Sequence, residues 1–166
     1  DLDGGVGDFA DQYKEIDVPI TIHGGIPEKE GYDFGGWKDP YGNVYAPGAS
    51  LNTNADFALK AIWTAKIYNV IYDANGGSNA PDDTIKEHFE DYRVSPEIPV
   101  KTGYNFTGWE CSDGKIYQAG DICSVNDHIT FTAIWTEKTY DVIYDSNGGV
   151  GSPSNAKKYY FSNWEK

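Results

Sequence analysis

Methionine is absent from this chain and cysteine occurs only twice in 166 residues. With no initiator and no secretory leader at its start, the sequence reads as a processed or excised piece of a longer protein. No apolar run approaches the ~20 residues that a membrane-spanning helix needs, so insertion by a helix is excluded and any anchor is expected elsewhere. Basic residues are scarce: 13 Lys and Arg stand against 26 Asp and Glu, a formal charge of −13. Such a balance repels a phosphate backbone and an anionic bilayer alike, which excludes nucleic acid as a partner. The acidic balance fits a soluble extracellular protein or one that meets a basic partner, with solvated carboxylates the plainer reading.

Chemical motifs are missing too. No serine sits in a nucleophile elbow, no glycines form a strand-to-helix phosphate fingerprint, and no motif sets either cysteine beside a histidine. Asp73-Ala74-Asn75-Gly76, with relatives at Asp1 and Asp145, imitates the opening of a calcium loop. An EF-hand loop needs an oxygen ligand at its fifth position and Gly at its sixth, and here the fifth is already Gly. Asn-Gly after an alternating strand is instead a hairpin signal. No enzyme, metal or cofactor is expected.

What the chain does contain is aromatics, 13 Tyr, 7 Phe and 5 Trp, and they recur on a fixed period. Gly31-Tyr32-Asp33-Phe34-Gly35-Gly36-Trp37 returns as Gly103-Tyr104-Asn105-Phe106-Thr107-Gly108-Trp109, an offset of 103 − 31 = 72. Ala61-Ile62-Trp63-Thr64 returns as Ala133-Ile134-Trp135-Thr136 at the same offset, and residues 31–64 match 103–136 at 13 of 34 positions without a gap. This is a tandem repeat. Its units fall at 1–64, 65–136 and 137–166, the first short of most of its opening strand.

Tyr104 and Phe106 alternate as residues on one face of a strand do, which turns Trp109 outward unless the register shifts by one. A bulge at Gly108, and at Gly36 in the first copy, returns the indole to the core. Tyr32, Phe34, Gly36, Trp37 and Trp63, with Tyr104, Phe106, Gly108, Trp109 and Trp135, are thus the expected repeat core. A third, degenerate copy of the motif is read at Tyr159-Tyr160-Phe161-Ser162-Asn163-Trp164, with some 19 residues of the second repeat deleted before it.

Elsewhere the signals are weaker. Phe9, Tyr13 and Ile16 have helical spacing, leaving residues 8–16 open, while Ile20 and Ile22 alternate as a strand. Pro27 to Gly31, and Pro99 to Gly103, suit a single helical turn begun by Pro and ended at Gly. Cys111 and Cys123 appear together in the second repeat where the first has Asp39 and Leu51. That pairing reads as a disulfide, which closing so short a loop would contribute ~3 kcal/mol, against two free thiols. His23, His88 and His128 occupy three unrelated columns, so no repeated base or ligand exists. Tyr41, Tyr92, Tyr117 and Tyr160 are the aromatics least tied to the core and the candidates for a sugar platform.

The ordered string Tyr-x-Val-x-Tyr-Asp-x-Asn-Gly-Gly, Gly-Tyr-x-Phe-x-Gly-Trp and Thr-Phe-Thr-Ala-Ile-Trp resembles the Listeria-Bacteroides repeat, the internalin B-repeat type, over nearly the whole chain. That resemblance implies an α+β, β-rich fold: tandem β-grasp (ubiquitin- or SUMO-like) units of 72 residues in an elongated array. It also implies no catalysis, a place outside the cell or attached to the bacterial surface, and a role as stalk or spacer with adhesion second. The alternative is a module binding a carbohydrate or host protein within a larger enzyme or adhesin. The chain is expected to be mostly monomeric. Its first repeat lacks an opening strand and its third carries one, Tyr140 to Asp145, so head-to-tail strand exchange is the further expectation, against a third copy that packs back as a cap.

Overall fold

The computed structural model describes residues 1–162. Asn163 and Trp164, the end of the expected third aromatic motif, lie outside them. Among the described residues fourteen strands follow one another. The first seven are β1 (Ile20–Thr21), β2 (Tyr32–Lys38), β3 (Val44–Tyr45), β4 (Ser50–Leu51), β5 (Lys60–Ala65), β6 (Ile67–Asp73) and β7 (Thr84–Glu87). The second seven are β8 (Tyr92–Arg93), β9 (Tyr104–Cys111), β10 (Ile116–Tyr117), β11 (Ile122–Cys123), β12 (Ile129–Glu137), β13 (Thr139–Val142) and β14 (Ala156–Tyr159). Each strand of the second set lies on one of the first when 72 is subtracted, as 92 − 20 and 156 − 84 show.

Two compact units form. One comprises Asp1–Ile67 with Glu87–Phe89, the other Tyr68–Lys86 with Glu90–Lys166. In the first, β2 pairs antiparallel with β3 and β5, and β1 with β4. In the second the sheet order is β10-β9-β12-β6-β7, with β12 antiparallel to β9 and parallel to β6, beside the pairs β8 with β11 and β13 with β14.

The bulge and its consequence are both present. Phe34 pairs with Trp63 and Gly36 with Ile62, while Phe106 pairs with Trp135 and Gly108 with Ile134, so Gly35 and Thr107 are the extra residues. Gly36 has φ 125° and Gly108 φ 147°, backbone that an L side chain strains to adopt. One residue later the indoles of Trp37 and Trp109 face inward and are buried. Trp109 meets Tyr72 and Phe106 edge to face at centroid distances of 4.9 and 5.0 Å, the geometry ring quadrupoles favour.

The expectation of an α+β, β-grasp fold is overturned, because no helix occurs among the described residues. The cause is local. Glu28 exchanges backbone hydrogen bonds with Val6, and Val100 with Ser78, which holds the residues after each proline extended. The chain then reverses in a β-turn, the Tyr32 N–H donating to the Lys29 carbonyl and Tyr104 to Lys101. Gly31 and Gly103 take the positive φ of 76° and 80° at the third turn position. The helical spacing of Phe9, Tyr13 and Ile16 is fortuitous: the segment is irregular, and Tyr13 and Ile16 are exposed.

A second correction concerns the third repeat. β14 stands where β7 does, so Tyr159, Tyr160 and Phe161 correspond to Glu87, His88 and Phe89 and not to the aromatic strand. No internal deletion is needed. Three aromatics in a row attracted the motif match, whereas the unbroken period places them beside the connector.

Candidate functional site

In the first two periods the turn at Leu2–Gly5 and at Ala74–Gly77 is built around a tryptophan. Asp73 accepts a hydrogen bond from the Asn75 N–H at 2.7 Å, Asp145 from Asn147 at 2.8 Å and Asp1 from Asp3 at 2.9 Å, so these carboxylates cap turns. Among the described residues no cluster of His, Cys, Asp and Glu could hold a metal ion. A Cβ on Gly5 would stand 2.5 Å from Cζ2 of Trp63, and one on Gly77 2.7 Å from Trp135. Glycine is there so that the indole can lie against the turn. Each indole N–H then donates to a turn carbonyl, Trp63 to Leu2 and Trp135 to Ala74, both at 3.0 Å.

One lysine locks each assembly. Lys29 donates to the Asp3 carbonyl at 2.9 Å while its ammonium lies 4.7 Å from the Tyr32 ring and 5.8 Å from Trp63. Lys101 does the same with Asn75 at 2.8 Å, over Tyr104 at 5.0 Å and Trp135 at 5.7 Å. Ring faces attract the cation and the carbonyl satisfies one of its protons. The arrangement holds structure and offers no free base or nucleophile.

A second constellation surrounds Lys66 and Lys138, the single residues between β5 and β6 and between β12 and β13. The Lys66 N–H donates to the Gly31 carbonyl and the His88 N–H to the Lys66 carbonyl, each at 2.9 Å. Lys138 and Tyr160 repeat this on Gly103, at 2.8 and 2.9 Å. The glycine is sterically required as well: a Cβ on Gly31 would come within 2.2 Å of the His88 ring, and one on Gly103 within 2.5 Å of Tyr160. Thus the residue after each connector strand pair clasps the glycine that opens the aromatic strand. Sequence reading missed this, although a ring at both 88 and 160 was visible once the period was held without gaps.

Cys111 and Cys123 are free thiols, both buried, and the expected disulfide is not formed. Their joint appearance has two separate causes. In the first unit Asp39 accepts from the amides of Tyr41 and Asn43, the Asn43 side chain and the Tyr45 hydroxyl, at 2.8 to 3.1 Å. In the second, Asp113 takes over part of this task, accepting from the Lys115 amide at 2.9 Å and the Tyr117 hydroxyl at 3.0 Å. The carboxylate has moved two residues along the turn, freeing the old position for the apolar Cys111. Cys123 replaces Leu51 as a smaller core residue. Burial pushes the Cys111 thiol up to about 11, so at neutral pH it is protonated and inert. Intact mass should therefore show no two-hydrogen deficit, with both thiols alkylated after denaturation and slow to react before it. A stable deficit in the native protein would contradict this.

Burial pulls the Asp113 carboxyl upward, but bonds from the Lys115 amide, Cys111 and Tyr117 outweigh it and hold the group below its ordinary 3.8. A carboxyl lowered on folding adds stability above the unfolded value and loses it as pH falls through the folded one. Wild type and Asp113→Asn should accordingly differ most in melting temperature above pH 3.8 and converge below it. A constant gap in melts across that range would refute the assignment.

The remaining candidates do not converge. His23 bonds the Ala10 carbonyl through Nε2 at 2.8 Å, and His128 Nδ1 accepts from the Asn69 N–H at 3.0 Å. Tyr117 is buried, the Tyr92 hydroxyl lies 3.2 Å from that of Tyr72, Tyr160 belongs to the clasp, and only Tyr41 projects freely, beside Phe57. The first unit holds a groove of about 1150 Å³, lined by Ile20, Ile22, Trp37, Leu51, Phe57 and Leu59 among others. Residues 8–16 cross it, tied down where the Lys14 ammonium donates to Asn54 Oδ1 at 2.7 Å and Asn54 Nδ2 to Asp17 at 2.6 Å.

Comparison with known proteins agrees with the period. The Listeria-Bacteroides repeat domain model matches residues 1–62 and again 68–134. The chain is 32% identical over 73% of its length to a protein of Evansella cellulosilytica provisionally named a membrane protein, covering 18% of that protein. It is 30% identical over 74% of its length to a provisionally named Gly-rich membrane protein of the same organism, covering 14% of it. Internalin H of Listeria monocytogenes is 33% identical over half of the chain, which covers 15% of that protein. The chain thus spans less than a fifth of each of these relatives. No solved structure matches it. With the family model matching the first two periods, over more than half of its residues, the chain belongs to the Listeria-Bacteroides repeat domain family.

Proposed function

We propose that this segment is a non-catalytic extracellular module of a bacterial surface protein, a stalk or spacer made by repetition, with adhesion as a second role. The observation that carries the reading is the recurrence at 72 residues of everything the fold uses: bulge, docked indole, lysine lock and connector clasp. A catalytic or ligand site is normally singular and breaks the local rules of its fold. Here the repeated residues all serve packing, and the residues that differ between periods, such as Asp39 and Asp113, exchange one structural role. Single-residue connectors suit a spacer, because they leave little chain to flex between strands. Internalin H and the two membrane-named relatives, of which this chain covers a small part, support a place in large proteins at the cell envelope.

Protease treatment of intact cells making the parent protein tests the location. Peptides from this segment should be released without lysis. Their appearance only after lysis would contradict the reading. Replacing both periods by an unrelated stalk of equal length should preserve the parent's surface activity if the segment spaces, and abolish it if the segment itself binds a surface protein or glycan.

A further inference from the structure

We propose that the second unit carries an anion site, a cleft that takes a single phosphate or sulfate ester on an otherwise neutral sugar. The cleft has a volume of about 430 Å³ and lies where the turn after β6, the turn before β9 and the connector between β12 and β13 meet. Its side-chain donors are the ammoniums of Lys101 and Lys138 and the hydroxyls of Ser78 and Thr102, and all four residues belong to the second unit. Among the described residues no carboxylate lines it.

Neither ammonium is neutralised within the protein. Among the described residues the ion pairs are Lys60 with Asp3 and Lys115 with Asp113, so Lys101 and Lys138 have none. The Asn75 carbonyl takes one of the three protons of Lys101, and the rings of Tyr104 and Trp135 hold the ammonium in place. A positive charge is thereby fixed at the cleft wall without being cancelled. Lys138 enters the clasp through its backbone alone, donating to Gly103 and accepting from Tyr160, which leaves its side chain to the cleft.

The charge is particular to the second period. Lys101 stands between Val100 and Thr102, whereas its counterpart Lys29 stands between Glu28 and Glu30, with Lys66 in the place of Lys138. The first unit thus sets two carboxylates beside its two lysines in these columns, and the second has the lysines alone. Val6 likewise gives way to Ser78, which adds a hydroxyl donor. The lysine lock is made in both periods, so packing does not require the change. Losing two acids at one place also runs against the composition of a chain with twice as many acidic as basic residues.

The chemistry of the ligand follows from the donors and from the charge around them. Donors arriving from separate turns and a connector surround a tetrahedral oxyanion better than a planar carboxylate. The net charge of −13 repels a densely charged polymer, so the anion is an isolated substituent. Such a site gives the proposed adhesive role its chemistry, and it rests on that role only for the source of the sugar.

Amide NMR spectra of the isotope-labelled 166-residue chain read the binding. The probes are galactose phosphorylated on its primary hydroxyl, galactose sulfated there, and plain galactose. Saturable shifts are expected at Gly76 to Ser78, Lys101, Thr102 and Lys138 with one or both esters and not with galactose, the tighter ester naming the source. Added sodium chloride should weaken them. Thr102→Glu, which restores the residue of the first period, and Lys138→Gln, which leaves the backbone clasp intact, should each raise Kd by about tenfold or more, the effect of losing a charge-assisted hydrogen bond. Unchanged amide positions elsewhere show that each variant is folded. No saturable shift with either ester overturns the proposal, as do equal shifts with galactose or binding that survives both substitutions. Surface location is read separately by protease release from intact cells, so failure of the site and failure of the extracellular reading are told apart.

Discussion

Trp109→Ala is expected to destabilise the second unit by about 3–5 kcal/mol, the usual cost of removing a large aromatic from a closed core. The indole is completely buried, and its loss removes the edge-to-face partner of Tyr72 and one of the two of Phe106, which keeps Trp135. Small domains have only about 5–15 kcal/mol to lose, so the unit should be close to unfolded at moderate temperature. The same change at Trp37 should cost less. That side chain lines the open groove, so its removal enlarges a space that water already reaches. Urea titrations followed by circular dichroism compare the two, and equal losses would mean that the groove is closed in solution.

Gly108→Val is expected to be nearly as severe, about 2–6 kcal/mol, because two independent costs add. At φ 147° a β-branched residue is strained, by about 1–3 kcal/mol. Its Cβ would also stand 2.7 Å from Gln118 Nε2 and 3.2 Å from the Tyr117 carbonyl, an overpacking of about 1–3 kcal/mol. Gly114→Ala separates the two, since Gly114 has φ 82° but open space around it. It should show the strain alone. If Gly108→Val and Gly114→Ala melt together, the bulge is not what positions Trp109.

The contrast between legible and illegible features has a physical pattern. The bulge could be read because parity is a rule of the strand itself: Tyr104, Phe106 and Trp109 cannot share a face without an extra residue. The period could be read because identical cores demand identical residues at identical spacing. Helical turns at Pro27 and Pro99 were misread because Pro and Gly signal only a local φ, whereas the partners that hold Glu28 and Val100 extended are more than twenty residues away. The disulfide was misread for a related reason. Two cysteines that vary together look coupled, but Cys111 follows from the shift of a carboxylate to Asp113 and Cys123 from a smaller core residue at the place of Leu51. The third repeat was misaligned because Tyr160 and Phe161 match the aromatic strand in kind, while their true counterparts His88 and Phe89 match it in position. Nothing short of the fold shows that a ring is wanted there to cover a glycine. The course of residues 8–16 across the groove was not legible, since Phe9 and Tyr13 give a helical period that no helix uses.

The central claim is that one period, and not the chain as a whole, is the unit that folds and functions. Its most direct test is to insert a second copy of residues 66–137 after Glu137 and measure urea unfolding by near-UV circular dichroism. The claim predicts a folded protein whose added tryptophans raise the native signal in proportion, and whose unfolding midpoint for the second unit is unchanged. An insertion that unfolds the neighbouring repeats, or adds mass without native signal, would contradict it.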